Sequence, residues 1–276
     1  MGFRINTNVP SISAQRNLGL QRQAQDLSFQ KLSSGERITR AADDAAGLAI
    51  SEKLKAEIRS TRQAGRNTND GISMIQTAEG GLNEISNILV RLRELSIQSA
   101  SDTIGDVERG FTDLEVQHLK QEVTRISEVT KFNGTYLLNG QGGDLEFQVG
   151  TGSNAEKDRM MYKVSQSDSR AMTLGIDEVS AKTKQDAQMN LDKIDKAIEM
   201  ISGNRASLGA LQNRLQSTSN NLNIAEENLS AANSRVRDAD IGAESAELAR
   251  RNILSNSGTA VLAQANSSGA QALKLL

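Results

Sequence analysis

Leu211, Leu215, Thr218, Leu222, Ala225, Leu229, Ala232, Val236 and Ala239 are spaced four and three residues apart without an error, over four heptads. A strand turns its side chains to the other face at every residue, so only a helix brings all these positions to one side. A stripe of that length must be covered by another helix. The spacing fits the core of an ordinary bundle and a coiled coil equally well. A second seam, Ile75, Ala78, Leu82, Ile85, Leu89 and Leu92, lies earlier in the chain, and Leu191, Ile194, Ile198 and Ile201 form a third stretch.

The side chains available to fill such a core are aliphatic. Aromatics make up 3% of the 276 residues, with no Trp, two Tyr and five Phe. Large aromatics usually supply much of a globular core, so here Leu, Ile, Val and Ala on long helices must do so. The formal net charge is −2, which gives no basic footprint for nucleic acid. Cys is absent, which excludes disulfides, thiolate nucleophiles and Cys-based metal sites. MGFRINTNVPSISAQRN at the start has no apolar run of the secretory kind, and no stretch reaches the length of a membrane-spanning helix. By these signals the protein reads as cytosolic, and any export must take another route.

Along the chain, Asn8 to Leu32 reads as a helix entered through Pro10 and capped by Ser11 or Ser13. Its apolar positions, Ile12, Leu18, Leu27 and Leu32, are sparse, so it is weak alone. Asp43 or Asp44 fits the N-cap of a long helix ending near Ser99. Gly80-Gly81 in that helix implies close packing against a neighbour. After a loop over 101–110, Leu114, Leu119, Val123 and Ile126 mark a shorter helix, which stops near the turn signal Asn133-Gly134. Leu145, Phe147 and Val149, then Met160, Tyr162 and Val164, alternate with polar residues about a Gly/Ser/Asn-rich link and predict a small β-hairpin within 136–165. A second long helix begins between Ser180 and Asp186. From Ile241 to Leu276 the chain is helical but built of small residues, with Leu254, Gly258, Val261, Ala265, Ser268, Ala272 and Leu275 at heptad spacing.

The fold class is therefore mainly α: a long antiparallel bundle or coiled coil with a small β-hairpin in the middle of the chain. The ends mirror each other, which predicts a terminal coiled-coil domain of 1–42 with 236–276 and an outer helical domain of 43–235. Thin seams at both ends order only against partners.

Enzyme chemistry finds little to work with. His118 is the single His, beside Gln117 and Lys120, and reads as a solvated residue on a helix surface. No His-Glu-x-x-His pattern exists. Asp43-Asp44 would point about a third of a turn apart on a helix and could not converge on one bond. Gly150-Thr151-Gly152-Ser153 lacks the Gly-Lys-Ser/Thr of a phosphate loop, and Asn133-Gly134-Thr135 matches a glycosylation sequon only as short motifs do by chance. No catalytic, cofactor-binding or metal-binding residue is assigned, and the chain reads as a non-enzyme.

Several segments, in order, resemble bacterial flagellin. Ile5-Asn6-Thr7-Asn8-Val9, Lys31-Leu32-Ser33-Ser34-Gly35-Glu36-Arg37-Ile38 and Ala41-Ala42-Asp43-Asp44-Ala45-Ala46-Gly47-Leu48-Ala49-Ile50 look like its N-terminal signature. Val90-Arg91-Leu92-Arg93-Glu94-Leu95-Ser96-Ile97-Gln98 and Phe132-Asn133-Gly134 resemble its next blocks. Arg237-Asp238-Ala239-Asp240, Leu262-Ala263-Gln264-Ala265-Asn266 and the closing Leu273-Lys274-Leu275-Leu276 resemble its C-terminal signature. The sequence departs from the family at Pro10, which predicts a first helix starting one turn late, and at Ser267-Ser268-Gly269, where the family usually has a Pro.

The resemblance implies a structural subunit, exported unfolded and uncleaved, that self-assembles with copies of itself into the extracellular flagellar filament for motility. By length the large variable outer domain is missing. Its implied partners are the type III export apparatus, an export chaperone, the filament cap and a Toll-like innate receptor of hosts, with no nucleic acid and no membrane insertion. It places the assembly seam at Ile12, Leu18, Leu254, Val261, Ala265, Leu275 and Leu276. Receptor contacts fall on Arg91, Leu95, Gln98 and Glu115. The nearest rival is a hook–filament junction protein, which shares the terminal features but not the match through Phe132-Asn133-Gly134. An intracellular coiled-coil adaptor is the rival of another class.

Overall fold

A computed structural model describes residues 7–141 and 143–273, with side chains described as far as Ser267. The elements are α1 (Val9–Ser34), α2 (Ala45–Ser99), α3 (Asp106–Val129), β1 (Lys131–Phe132), β2 (Thr135–Tyr136), β3 (Leu145–Gln148), α4 (Ala155–Asp158), β4 (Arg159–Tyr162), α5 (Lys184–Arg237) and α6 (Ile241–Leu273). The chain divides into two compact units, 1–58 with 227–276 and 59–226. These boundaries fall inside α2 and α5, deeper into the chain than the sequence breaks at 42 and 236, which lie beside the helix ends.

In the outer unit, 59–226, the predicted seam is the core. Ile75, Ala78, Leu82, Ile85, Leu89 and Leu92 are all fully buried. They pack with Ile194, Ala197, Ile201, Leu208 and Leu215 of α5, Val116 and Val123 of α3, and Leu137, Leu138, Val149 and Tyr162 from the β segments. Gly81 explains itself by close approach: a Cβ there would lie 2.7 Å from Leu138 and 2.8 Å from the Thr130 hydroxyl. The neighbouring Gly80 faces open space.

Both β elements are antiparallel hairpins. In the first, Asn133 and Gly134 turn the chain with φ of 47° and 83°, the paired positive values an Asn-Gly turn accommodates. In the second, Leu145, Glu146, Phe147 and Gln148 pair with Tyr162, Met161, Met160 and Arg159. The predicted alternation holds here, and the link contains the one-turn helix α4.

Helix α3 differs from its expected pattern. Leu114 is exposed, and the buried face is polar: Arg109, Thr112, Asp113, Lys120 and Ser127 accompany Val116 and Val123. These side chains hold irregular backbone. Arg109 donates to the carbonyls of Ser99 and Ser101 at 3.0 and 2.9 Å, completing the C-terminus of α2. Asp113 accepts from the Ala181 amide at 2.8 Å and the Ser180 hydroxyl at 2.9 Å, and Lys120 donates to the Val179 carbonyl at 3.0 Å. Burial alone would raise the Asp113 carboxyl, but the hydrogen bonds from Ala181, Ser180 and Gln117 carry it below its ordinary value. Burial pushes the Lys120 ammonium down.

In the terminal unit α1 lies antiparallel to α6. Asn8 donates to the Ala265 carbonyl at 2.8 Å, and Gln25 donates to Asn252 at 2.5 Å. Asn8, rather than Ser11 or Ser13, caps α1 by accepting from the Ser11 amide. The helix starts at Val9 and not one turn late, because Pro10 falls in the first turn, where a missing N–H costs nothing. Beyond Asn266 no proline interrupts α6, and it continues to Leu273.

Candidate functional site

The sequence candidates for chemistry resolve into structural roles. Asp43 accepts from the backbone of Thr39 and Arg40, both at 3.0 Å, and these bonds hold its carboxyl below the ordinary value. Asp44 accepts from the Gly47 amide at 2.8 Å at the start of α2. The two carboxylates serve different turns. His118 is exposed on α3. The loop 150–158 is tied to itself: the Val149 and Gly150 amides donate to the Asp158 carbonyl, and the Gln148 amide donates to the carbonyls of Gly150 and Gly152. Among the described residues no cluster of three or more His, Cys, Asp or Glu could hold a metal, and no helix is long and apolar enough to cross a membrane.

The surfaces offer more than the cavities. On α1 a heptad of Ser11, Ala14, Leu18, Gln21, Gln25, Ser28 and Leu32 turns inward, and on α6 Glu244, Leu248, Arg251, Ser255, Gly258, Leu262 and Ala265 do the same. Only Leu18 and Ser28 of α1 are buried, and no described residue of α6 is. The inward residues are small or polar, so the helices come close but cover little apolar area. A Cβ on Gly258 would lie 3.3 Å from Leu18.

The expected seam thus splits. Leu18 is buried and Ala265 half-buried between the two helices, whereas Ile12, Leu254 and Val261 point away from the pairing and are exposed. The register of α6 toward α1 runs through Ser255 and Leu262, one residue past Leu254 and Val261. Leu275 and Leu276 lie outside the described residues. Val9, Leu20, Phe29 and Ile253 are also exposed, so more of the large apolar side chains described on the terminal pair are exposed than covered.

The two connections of the terminal unit are tied at Arg237, whose Nε lies 2.9 Å from Glu36 and whose Nη1 lies 2.5 Å from Glu52. Donating to the Glu52 and Glu36 carboxylates raises the guanidinium above its ordinary value. The Arg37 amide donates to the Arg237 carbonyl and the Ala239 amide to the Gly35 carbonyl, so the 35–38 and 237–239 segments are joined backbone to backbone. The sequence offers Arg237-Asp238-Ala239-Asp240 only as a motif. No periodicity announces this role.

On the outer unit Arg91 of α2 reaches Glu115 of α3 at 2.9 Å and Glu94 at 3.0 Å, and Arg91, Glu115 and Gln98 are exposed. Leu95 corrects the expectation that it shares this surface. It is 2% exposed and belongs to the core. The seam Ile85, Leu89, Leu92 reaches Leu95 at the next step of three, a signal the sequence already carried.

Residues 5–142 match the family described as the bacterial flagellin N-terminal helical region, and residues 191–276 the bacterial flagellin C-terminal helical region. A flagellin of Halalkalibacterium halodurans is 44% identical over 272 residues, covering 99% of each chain. A flagellin of Bacillus subtilis is 37% identical, covering 99% of this chain and 100% of that one. The crystal structure of Bacillus cereus flagellin covers 57% of this chain and 88% of its own, at 33% identity and a TM-score of 0.51.

Proposed function

The chain belongs to the bacterial flagellin family, a family of structural filament proteins and not enzymes, and from that premise we propose that it polymerises by folding its ends against neighbouring copies. The observation that carries this is the terminal pair, with a polar, small-residue seam inside and Ile12, Leu254 and Val261 outside. Burying each of those three gains roughly 1.5–3 kcal/mol, and ordering backbone costs roughly 1–2 kcal/mol per residue. A lone pair of such helices is close to balance, and a neighbour that covers the outer residues tips it toward order. The same marginal ends suit passage of an unfolded chain through a type III export apparatus, with a chaperone covering them before export and a cap guiding their folding at the filament tip, outside the cell. Identity to flagellins along nearly the whole chain favours this over a hook–filament junction role.

The experiment is polymerisation of dissociated chain by salting out, followed by negative-stain microscopy. Wild type should form filaments, and Leu254→Asp with Val261→Asp should leave a folded chain that forms none, because unpaired charge is costly to bury. Normal filaments from the double variant would refute the reading.

A second reading rests on the Arg91–Glu115 pair, an exposed charged patch held between two helices. It is the surface a Toll-like innate receptor would contact on the monomer, with Gln98 beside it and without Leu95. Dissociated wild type should activate a receptor reporter, and Arg91→Ala with Glu115→Ala should not. A silent wild type or a fully active variant ends the claim.

A further inference from the structure

Asn-Gly occurs twice in the chain, at Asn133-Gly134 and at Asn139-Gly140, and the fold treats the two differently. Asn133 stands at the tip of the β1–β2 hairpin with φ of 47°, followed by Gly134 with φ of 83°. Asn is one of the few residues that enter this left-handed region, at a cost in backbone energy. Both residues of the tip are exposed. Among the described residues the Asn133 side chain has no hydrogen-bond partner, and the Gly134 amide donates to no acceptor. Glycine also has no Cβ to shield that amide.

Asn139 is held in place. It is 6% exposed, and its Oδ1 accepts from the Gln141 amide at 3.1 Å. The preceding Leu138 is fully buried, and its carbonyl accepts from the Ser169 amide at 2.9 Å. On the other side, a Cβ on Gly140 would lie 2.8 Å from the Asp168 side chain.

We infer that Asn133 is a site of spontaneous deamidation and backbone isomerisation, from which the fold protects Asn139. Solvent base takes the proton of the Gly134 amide, and the nitrogen attacks Cγ of Asn133. The N–Cγ bond forms, the Cγ–Nδ2 bond breaks, and ammonia leaves after taking a proton back from solvent. One water then opens the cyclic imide at either carbonyl. Cleavage of the new bond leaves aspartate. Cleavage of the original peptide bond leaves isoaspartate, whose main chain runs through Cβ and Cγ. Water is the only co-reactant.

A two-residue turn cannot take an extra main-chain atom and keep its register, so Phe132 no longer pairs with Thr135. Phe132 packs against the outer core, and Leu137 and Leu138 beyond β2 are fully buried. Conversion at Asn133 therefore loosens the outer unit, whether or not the chain polymerises.

The test ages the full chain in mildly alkaline buffer and then digests it. Mass spectrometry reads the change from amide to acid at each Asn, and methylation by an isoaspartyl methyltransferase reads the isomerised product. Asn133 should convert at least about tenfold faster than Asn139, which must wait for local opening. In denaturant, where the fold protects neither, the two should convert at similar rates. Asn133→Gly keeps the turn, since Gly-Gly also suits it, and should remove most of the isoaspartate. Aged wild type should unfold at lower denaturant than fresh protein, and aged Asn133→Gly should not. Equal conversion of both sites in the folded chain, faster loss at Asn139 or an intact Asn133 would each overturn the inference. Isoaspartate undiminished in Asn133→Gly would do the same.

Discussion

Two helix pairings in this chain follow the same heptad spacing and come out unequal. In the outer unit the seam of α2 is Ile75, Ala78, Leu82, Ile85, Leu89 and Leu92, every one fully buried. In the terminal unit α1 offers Ser11, Ala14, Leu18, Gln21, Gln25 and Ser28 to Ser255, Gly258, Leu262 and Ala265, nearly all half-buried. Spacing decides which faces meet, but residue size and polarity decide how much the meeting stabilises. A long apolar seam supports a fold that stands in the single chain. A small polar one makes a helix pair that waits for neighbours.

Substitutions can break this contrast. Leu89→Ala, in the middle of the outer seam, should cost about 2–5 kcal/mol in chemical denaturation of the monomer. Leu18→Ala removes the one buried leucine of α1 and should leave that transition nearly unmoved while slowing polymerisation. Equal losses at the two positions would erase the distinction between the units.

Asp113→Ala probes the polar half of the outer core. It strands the buried Ala181 amide, at a cost of about 2–3 kcal/mol at pH 7. The Asp113 carboxyl is held below its ordinary value in the folded chain. Its contribution is therefore complete above the unfolded pKa of about 3.9 and fades as pH falls through the folded value. Denaturation of wild type and variant should converge as pH drops below about 4. A gap that stays constant from pH 7 to pH 3 would show that the charge of Asp113 is irrelevant.

The smallest expected effect compares two glycines. Gly81→Ala drives a methyl against Leu138 and Thr130 and should cost about 1–2 kcal/mol. Gly258→Ala meets only the movable tip of Leu18 and should be neutral or stabilise the helix by up to about 1 kcal/mol. Thermal melts of the two variants, with helicity of α6 followed in a peptide spanning 241–267, separate these outcomes.

Much of this was legible in the sequence because periodicity reports on apolar burial. The α2 seam, the Asn133-Gly134 turn and the alternation of Leu145, Phe147, Met160 and Tyr162 all correspond to what the fold does. What periodicity missed was polar burial. The inward face of α3 is Arg109, Asp113 and Lys120 because it holds the irregular chain at 179–181 and the end of α2, and neither has a repeat to read. In α6 small residues occur on every side, so the sequence could not distinguish a register through Leu254 and Val261 from one through Ser255 and Leu262. Of the patch near Arg91, the resemblance supplied Arg91 and Glu115 as residues, while their ion pair is visible only in the fold. Leu95 came with the same resemblance, but in this chain it continues the buried seam of Ile85, Leu89 and Leu92.

Hydrogen exchange on monomer and filament tests the unequal pairing most directly. Amides of α1 and α6 should exchange freely in the monomer and become protected in the filament, while those of 75–92 and 194–215 should be slow in both. Slow exchange throughout α1 and α6 in the monomer, equal to that of the outer seam, would contradict it.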